Sequence, residues 1–527
     1  MRAWSVVPGT LAIAILAAGC GGGGSGGGGG ATAAASTSGT TPGGSSGVPG
    51  AQVAAVTSLR LPAGLVLAGD VPVAYRIADP SSAPASVTVS ISTDGGATWT
   101  PATASASSAA TTGLATAPLP GTEHIFTWSS AADVSTSAQV LVRVELAGGN
   151  ALTASAVVDN VPLTTAVRLN RRPYLQLTRQ TSTLIAWRTE TDTDSVIEWG
   201  DTPALGNLAG NPGVREKAHT AELVGLLPGT LYYYRVVANG APLTARESFT
   251  SAPATTSSDF SFLAFGDSGT LSPAQLTLGT MMAAEDADFA IHMGDVIYPY
   301  GGLGNGVGEY NDRFFKPYEA FLGRIPMFPV IGNHDLIAVF GQPFKEAFYL
   351  PDNGSSIARE LYFSFEWGDA KFIALETTGL FLVPLGDHMR WLQQEIQQNQ
   401  RKWLIVYMHV PLYSCGSHGD NRILQYVLGP LFENGKVDLV IAGHDHNYER
   451  TKPIKQFNQD PAYPGLVHVL TGGGGAGTRG VSPNSRTAVA ASVNHYTRFS
   501  VQGDTLSGVA VDVNGQVVDS FTVQNIP

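Results

Sequence analysis

Five short motifs between residues 260 and 450 hold the side chains best suited to chemistry. They are Phe265-Gly-Asp-Ser-Gly269, Gly294-Asp-Val-Ile-Tyr298, Gly332-Asn-His-Asp335, His409-Val-Pro411 and Gly443-His-Asp-His-Asn447. Together they supply Asp267, Asp295, Tyr298, Asn333, His409, His444 and His446, a donor set suited to two adjacent metal ions. Two ions held close together need one ligand that touches both. A carboxylate can bridge, and Asp295, placed between the other acidic and amide motifs, is the best candidate. Asn333 offers an amide oxygen without adding charge. Imidazole suits Zn, Fe and similar transition metals, whereas a calcium site favours more carboxylates and carbonyls. His444 and His446 share one short loop, where each can face a different ion. Eight of the 11 histidines fall between His292 and His468, and a metal-dependent hydrolase is the reading this pattern favours. Asp335 and Asp445 read as loop-shaping groups, Arg450 as structural and Cys415 as passive.

Each motif needs a rigid element to aim it. Apolar runs at 260–265, 287–293, 327–331, 403–408 and 437–442 each end in one of the motifs, and helical patterns at 273–285 and 388–398 alternate with them. Loops at the C-terminal ends of buried strands are the usual site-bearing positions of α/β folds, and glycine lets backbone approach a ligand closely. Strand-like runs at 466–470, 496–502, 506–513 and 517–523 are expected to complete the catalytic domain within its second sheet. The Gly472 to Gly475 run lacks the spacing of a dinucleotide fingerprint or a phosphate loop and reads as a plain loop. The glycine-bearing stretch 300–310 borders the expected substrate entrance.

Upstream the texture is all-β. Val87-Thr-Val-Ser-Ile91, the turn Ser92-Thr-Asp-Gly-Gly96, and runs at 126–128 and 139–146 suggest an immunoglobulin-like sandwich over 53–163. A second unit over 164–253 carries Leu227-Pro-Gly-Thr230 and the aromatic strand Leu231-Tyr-Tyr-Tyr-Arg-Val236, which resembles the corner of fibronectin type III domains. Residues 254–527 then form an α/β domain with a β-sandwich core flanked by helices. At the start, Arg2, an apolar stretch and Leu16-Ala-Ala-Gly-Cys20 resemble a bacterial signal peptide and lipobox over 1–20, with Cys20 as the lipidated residue. Residues 21–52, nearly all Gly, Ser, Ala, Thr and Pro, read as a flexible tether. An exported cell-envelope or extracellular location follows from that reading. The net charge of −12 with 14% charged residues argues against a nucleic-acid partner.

The chain resembles the calcineurin-like metallophosphoesterases and, among them, the purple acid phosphatases. Asp267-Ser-Gly269 lacks the histidine of the superfamily's usual Asp-x-His, and Tyr298 stands three residues after the second aspartate, as in purple acid phosphatases. Arg172-Pro-Tyr-Leu-Gln176 resembles the opening of their N-terminal domain. The resemblance implies Fe(III) on Asp267, Tyr298 and His446, and a divalent Fe, Zn or Mn on Asn333, His409 and His444, with Asp295 bridging. It implies phosphomonoester hydrolysis by attack of a metal-activated hydroxide, with His334 and His418 facing a small phosphorylated substrate. A phosphodiesterase or nucleotide hydrolase of the same superfamily, and a noncatalytic cell-surface binding protein, are the alternatives.

Overall fold

The structure, a computed structural model, describes residues 54–62, 66–354, 358–378 and 386–526. The leader, Cys20 and the tether expected from the sequence lie outside the described residues. Between 55 and 159, strands Ala55–Arg60, Asp70–Ala78 and Thr122–Ser129 form one antiparallel sheet, and a five-stranded sheet includes Val87–Ser92, Ser137–Leu146 and Ala151–Asp159. Side chains alternate across a strand, so Val71, Val73, Tyr75 and Ile77 point inward from one sheet and Val140, Val142 and Val144 from the other, into one core around Trp128.

The next unit is also all-β, but its six strands belong to a single hydrogen-bonded sheet rather than to two separate ones. The long strand Ser182–Gly200 makes this possible. Its first half pairs with Leu169–Gln176 and its last residues with Leu231–Ala238, and register breaks between Arg188 and Ser195 let it turn from one partner to the other. Tyr232 and Tyr234 pack its core, and the Tyr234 hydroxyl donates to Gly323 O at 2.7 Å, outside the unit. Arg171 reaches further. Its guanidinium donates to Asn311 Oδ1 (2.6 Å) and Ala347 O (3.1 Å) and lies over the Phe315 ring. Gln176 donates to Met327 O (2.9 Å). These contacts brace the segment that leads into Asn333.

In the C-terminal domain two sheets face each other. One runs in the order Met327–Pro329, Phe289–His292, Asp259–Phe265, His495–Gln502, Thr505–Asp512, Val517–Gln524. The other runs Phe363–Trp367, Ala370–Leu375, Trp403–Met408, Leu439–Ala442, Val467–Thr471, Tyr448–Thr451, Thr487–Ala491. Phe262, Phe289, Phe328, Phe365 and Phe372 interlock between the sheets, with ring centroids 4.0 to 5.7 Å apart. Helices Pro273–Ala283, Asp387–Gln397 and Arg422–Asn434 flank them; Ser272 and Asn421 cap the first and last by accepting from Gln275 N and Leu424 N. The C-terminal tail divides between the sheets, contrary to the expectation of a second-sheet role. Val467–Thr471 joins the second, while the last three strands extend the first, with His495–Gln502 pairing antiparallel to Asp259–Phe265.

Candidate metal centre

Strands Asp259–Phe265, Phe289–His292, Trp403–Met408 and Leu439–Ala442 are almost wholly buried, so the chain turns polar only where it leaves each sheet. The first sheet thereby delivers Asp267, Asp295, Tyr298 and Asn333, and the second delivers His409, His444 and His446. Asp267, Asp295 and His444 have φ of 57°, 50° and 74°, a left-handed conformation that costs a residue with a Cβ and collects at functional sites. Hydrogen bonds hold them there: Asp267 N donates to Gly294 O (3.0 Å) and His444 N to Asp267 Oδ2 (2.9 Å). At Gly332 a Cβ would stand 2.2 Å from Asp295 Oδ1, so only glycine allows the two loops to meet.

All seven side chains converge, in two halves. In one, the Tyr298 hydroxyl lies 3.0 Å from each of Asp267 Oδ1, Asp295 Oδ2 and His446 Nε2. In the other, His409 Nε2 lies 2.8 Å from Asn333 Oδ1, 3.2 Å from His444 Nδ1 and 3.4 Å from Asp295 Oδ1. Asp295 therefore turns one oxygen to each half. Asp295, His409 and His444 bring donor atoms within 4.8 Å of one another, a cluster able to hold a metal ion. The imidazoles are oriented from behind: His409 Nδ1 meets Met293 O (2.7 Å) and His446 Nδ1 meets Gly477 O (2.8 Å), leaving each Nε2 turned inward.

The electrostatics fit a cation. Burial pushes the Asp267 carboxyl up to about 8, with His409 opposing and Asp295 adding to the rise. Burial would also raise Asp295, but the charge and hydrogen bond of His409 hold it below the usual carboxylate range. Burial disfavours the His409 charge, yet Asp295 beside it lifts the imidazole to about 9. Protons thus neutralise the ion-free cluster, and a bound cation would displace them. His444 and His446 are held down to about 2 and about 4, first by burial and then by the charges of His409 and Arg479 respectively. Neutral imidazole is the form that ligates.

Around this cluster, the His334 ring packs at a tilt against Tyr298 (4.4 Å between ring centroids), and its Nε2 lies 3.9 Å from Asp295 Oδ2. His418 stacks on His444 at 4.1 Å. Asp335 accepts from Gly332 N, Val296 N and the Tyr310 hydroxyl, tying two motif loops together. Asp445 accepts from the Ser414 hydroxyl (2.6 Å) and His418 N (3.1 Å). Arg450 pairs with Asp519 at 2.6 Å. Cys415 is a buried free thiol that burial, with Glu449 beside it, pushes up to about 12. The sequence reading passed over Arg479, whose guanidinium reaches His418, Asp445 and the carbonyl of His444. The glycine run before it also closes on the centre: a Cβ at Gly472 would stand 2.8 Å from Asp267 Oδ2.

Two facing sheets that join a metal-ligating cluster at their strand ends define a metal-dependent hydrolase. Residues 260–448 match the family described as calcineurin-like phosphoesterase, and residues 170–251 match the purple acid phosphatase N-terminal domain. Acid phosphatase type 7 of Danio rerio is 27% identical over 400 residues, covering 65% of this chain and 88% of the relative. The Homo sapiens acid phosphatase type 7 is 27% identical over 394 residues, covering 65% and 87%. Purple acid phosphatase PPD1 from yellow lupin (Lupinus luteus) seeds has a similar fold, with a TM-score of 0.59 at 21% identity over 86% of this chain and 93% of that one. The chain belongs to the calcineurin-like phosphoesterases, as a purple acid phosphatase-like member.

Proposed function

We propose that this chain is a dinuclear-metal acid phosphatase acting on phosphomonoesters. The observation that carries the proposal is Asp295, which offers Oδ2 to the Tyr298 half and Oδ1 to the His409 half, as a bridging carboxylate must. On this reading Asp267, Tyr298 and His446 hold Fe(III), for which a phenolate is a strong ligand, and Asn333, His409 and His444 hold a divalent Fe, Zn or Mn. When bound, the two ions supply positive charge to the phosphoryl oxygens and lower the pKa of the attacking water. The protein's own part is to fix geometry. The backbone carbonyls of Met293 and Gly477 set the His409 and His446 tautomers, and His334 N donates to Asp295 Oδ1 at 2.8 Å. On the same reading His334, partly exposed beside Asp295, meets a phosphoryl oxygen.

Metal analysis, a visible spectrum and assays on a phosphomonoester test the proposal on the full chain. Two ions, turnover that disappears in Asp295→Asn, and a visible band that disappears in Tyr298→Phe are expected. A colourless enzyme with two zinc or manganese ions would sink the ferric assignment alone. Two bound ions with no turnover of any phosphoester would leave a metal-bearing binding protein. The lipobox-like Leu16-Ala-Ala-Gly-Cys20 and the following tether support the further proposal of an exported, lipid-anchored enzyme. Fatty-acid labelling that persists in Cys20→Ala would refute the anchor.

A further inference from the structure

Arg479 enters the centre from the segment that follows the glycine run. Its backbone N–H donates to His446 O (2.9 Å), while Gly477 O receives His446 Nδ1 (2.8 Å), so three consecutive residues position His446 and Arg479 together. Arg479 Nη1 donates to His418 Nε2 and to His444 O (3.2 Å), with Asp445 Oδ1 3.7 Å away. Asp445 also accepts from the Ser414 hydroxyl and His418 N. It steadies the guanidinium without using its remaining donors. Arg479 Nε and Nη2 have no protein acceptor among the described residues, and the side chain is 27% exposed. A guanidinium has donors only, so His418 Nε2 must accept, and the neutral ring carries its proton on Nδ1. The resemblance implies that His418 faces the substrate, and here its Nε2 is turned to Arg479.

The geometry points to Arg479 as the residue that receives the terminal phosphoryl oxygens of the substrate, with His418 as its positioning residue. A planar fork of N–H donors suits phosphate oxygens. A phosphomonoester presents one more anionic oxygen than a diester, so Arg479 also favours monoesters. The inference rests on the phosphoester reading of the centre and adds a residue and a preference to it.

The test uses the metal-loaded full chain, with inorganic phosphate and two esters as probes, 4-nitrophenyl phosphate and bis(4-nitrophenyl) phosphate. Arg479→Ala is expected to weaken phosphate binding by about 10- to 100-fold, the worth of one or two hydrogen bonds to a charged acceptor. KM for the monoester should rise more than kcat falls, and KM for the diester should rise less. Arg479→Lys should recover part of the phosphate affinity, and added guanidinium should restore monoester turnover to Arg479→Ala. Metal content must stay at the wild-type level. Phosphate affinity unchanged in Arg479→Ala, or equal losses on both esters with no rescue by Lys or guanidinium, would overturn the assignment. Calorimetric titration of phosphate separates the two failures. A wild-type protein that binds phosphate through Arg479 yet turns over neither ester sinks the hydrolase reading and keeps the Arg479 site.

Discussion

Removing the Asp335 carboxylate should loosen the metal centre without touching a candidate ligand. Asp335 is fully buried and accepts from Gly332 N (3.0 Å), Val296 N (3.0 Å to the nearer oxygen) and the Tyr310 hydroxyl (2.9 Å). Gly332 precedes Asn333 and Val296 follows Asp295, so this one side chain sets the spacing between a candidate bridging ligand and a ligand of one half. Burial, with Asp295 adding to it, pushes the Asp335 carboxyl up to about 6, which makes pH 8 the condition in which it is ionised. With Ile297 N also donating to it (3.4 Å), Asp335→Ala leaves four buried donors unpaired at about 1–3 kcal/mol each, a loss of about 4 kcal/mol or more. Tyr310→Phe removes one donor and leaves the other three satisfied, a loss of about 1 kcal/mol. Because the carboxylate orients both loops, zinc affinity should fall by about 10- to 100-fold in Asp335→Ala. Urea denaturation of ion-free protein at pH 8 reads the first effect, and competitive zinc titration reads the second. A variant that loses the expected stability but binds both ions as tightly as wild type would refute the positioning argument.

A second prediction concerns pH. His388 is buried, stacks on Tyr362 at 3.8 Å, has no hydrogen-bond partner for either ring nitrogen, and is lowered by burial to about 4. With a folded value below the unfolded one near 6.5, the unfolded chain binds more protons in between. The stabilisation is complete above the unfolded value and is lost as pH falls toward the folded one. At pH 5 the loss is about 2 kcal/mol, and His388→Phe should remove that part of the acid sensitivity. Equal stability changes between pH 8 and pH 5 in variant and wild type would contradict it. At Gly332, alanine would force its Cβ to 2.1 Å from Asp295 N. Gly332→Ala is expected to cost about 1–3 kcal/mol and to lower metal uptake, and wild-type metal content in a folded variant would count against the steric argument.

The positions of the candidate ligands were legible because buried strands are continuous apolar runs, and each gives way to glycine and a polar residue where it leaves its sheet. Residues 260–265 and 403–408 needed no knowledge of their neighbours to be read as strands. Strand order was not legible. Nothing in 496–523 says that those strands extend the first sheet, since pairing partners are fixed by long-range packing. The second β-unit hid its connectivity in Ser182–Gly200, whose polar middle, Thr189 to Asp194, separates two strand-like runs although one strand continues through it around a bend. Arg479 was invisible for a related reason. Its partners His418 and Asp445 lie 61 and 34 positions away, so no local spacing announces the cluster.

The division of donors between two sheets bears on how the chain acquires its ions during folding. The carboxylates, the phenol and the amide all precede residue 334, whereas the three imidazoles begin at His409. A chain that has formed only Asp259–Phe265, Phe289–His292 and Met327–Pro329 of the first sheet offers, among the candidate ligands, oxygen donors alone, a set suited to hard ions such as magnesium, calcium or manganese. Nitrogen donors arrive only when the second sheet docks and His409 and His444 close beside Asp295. If the centre holds two ions as proposed, capture of a transition metal is expected only after the two sheets have docked.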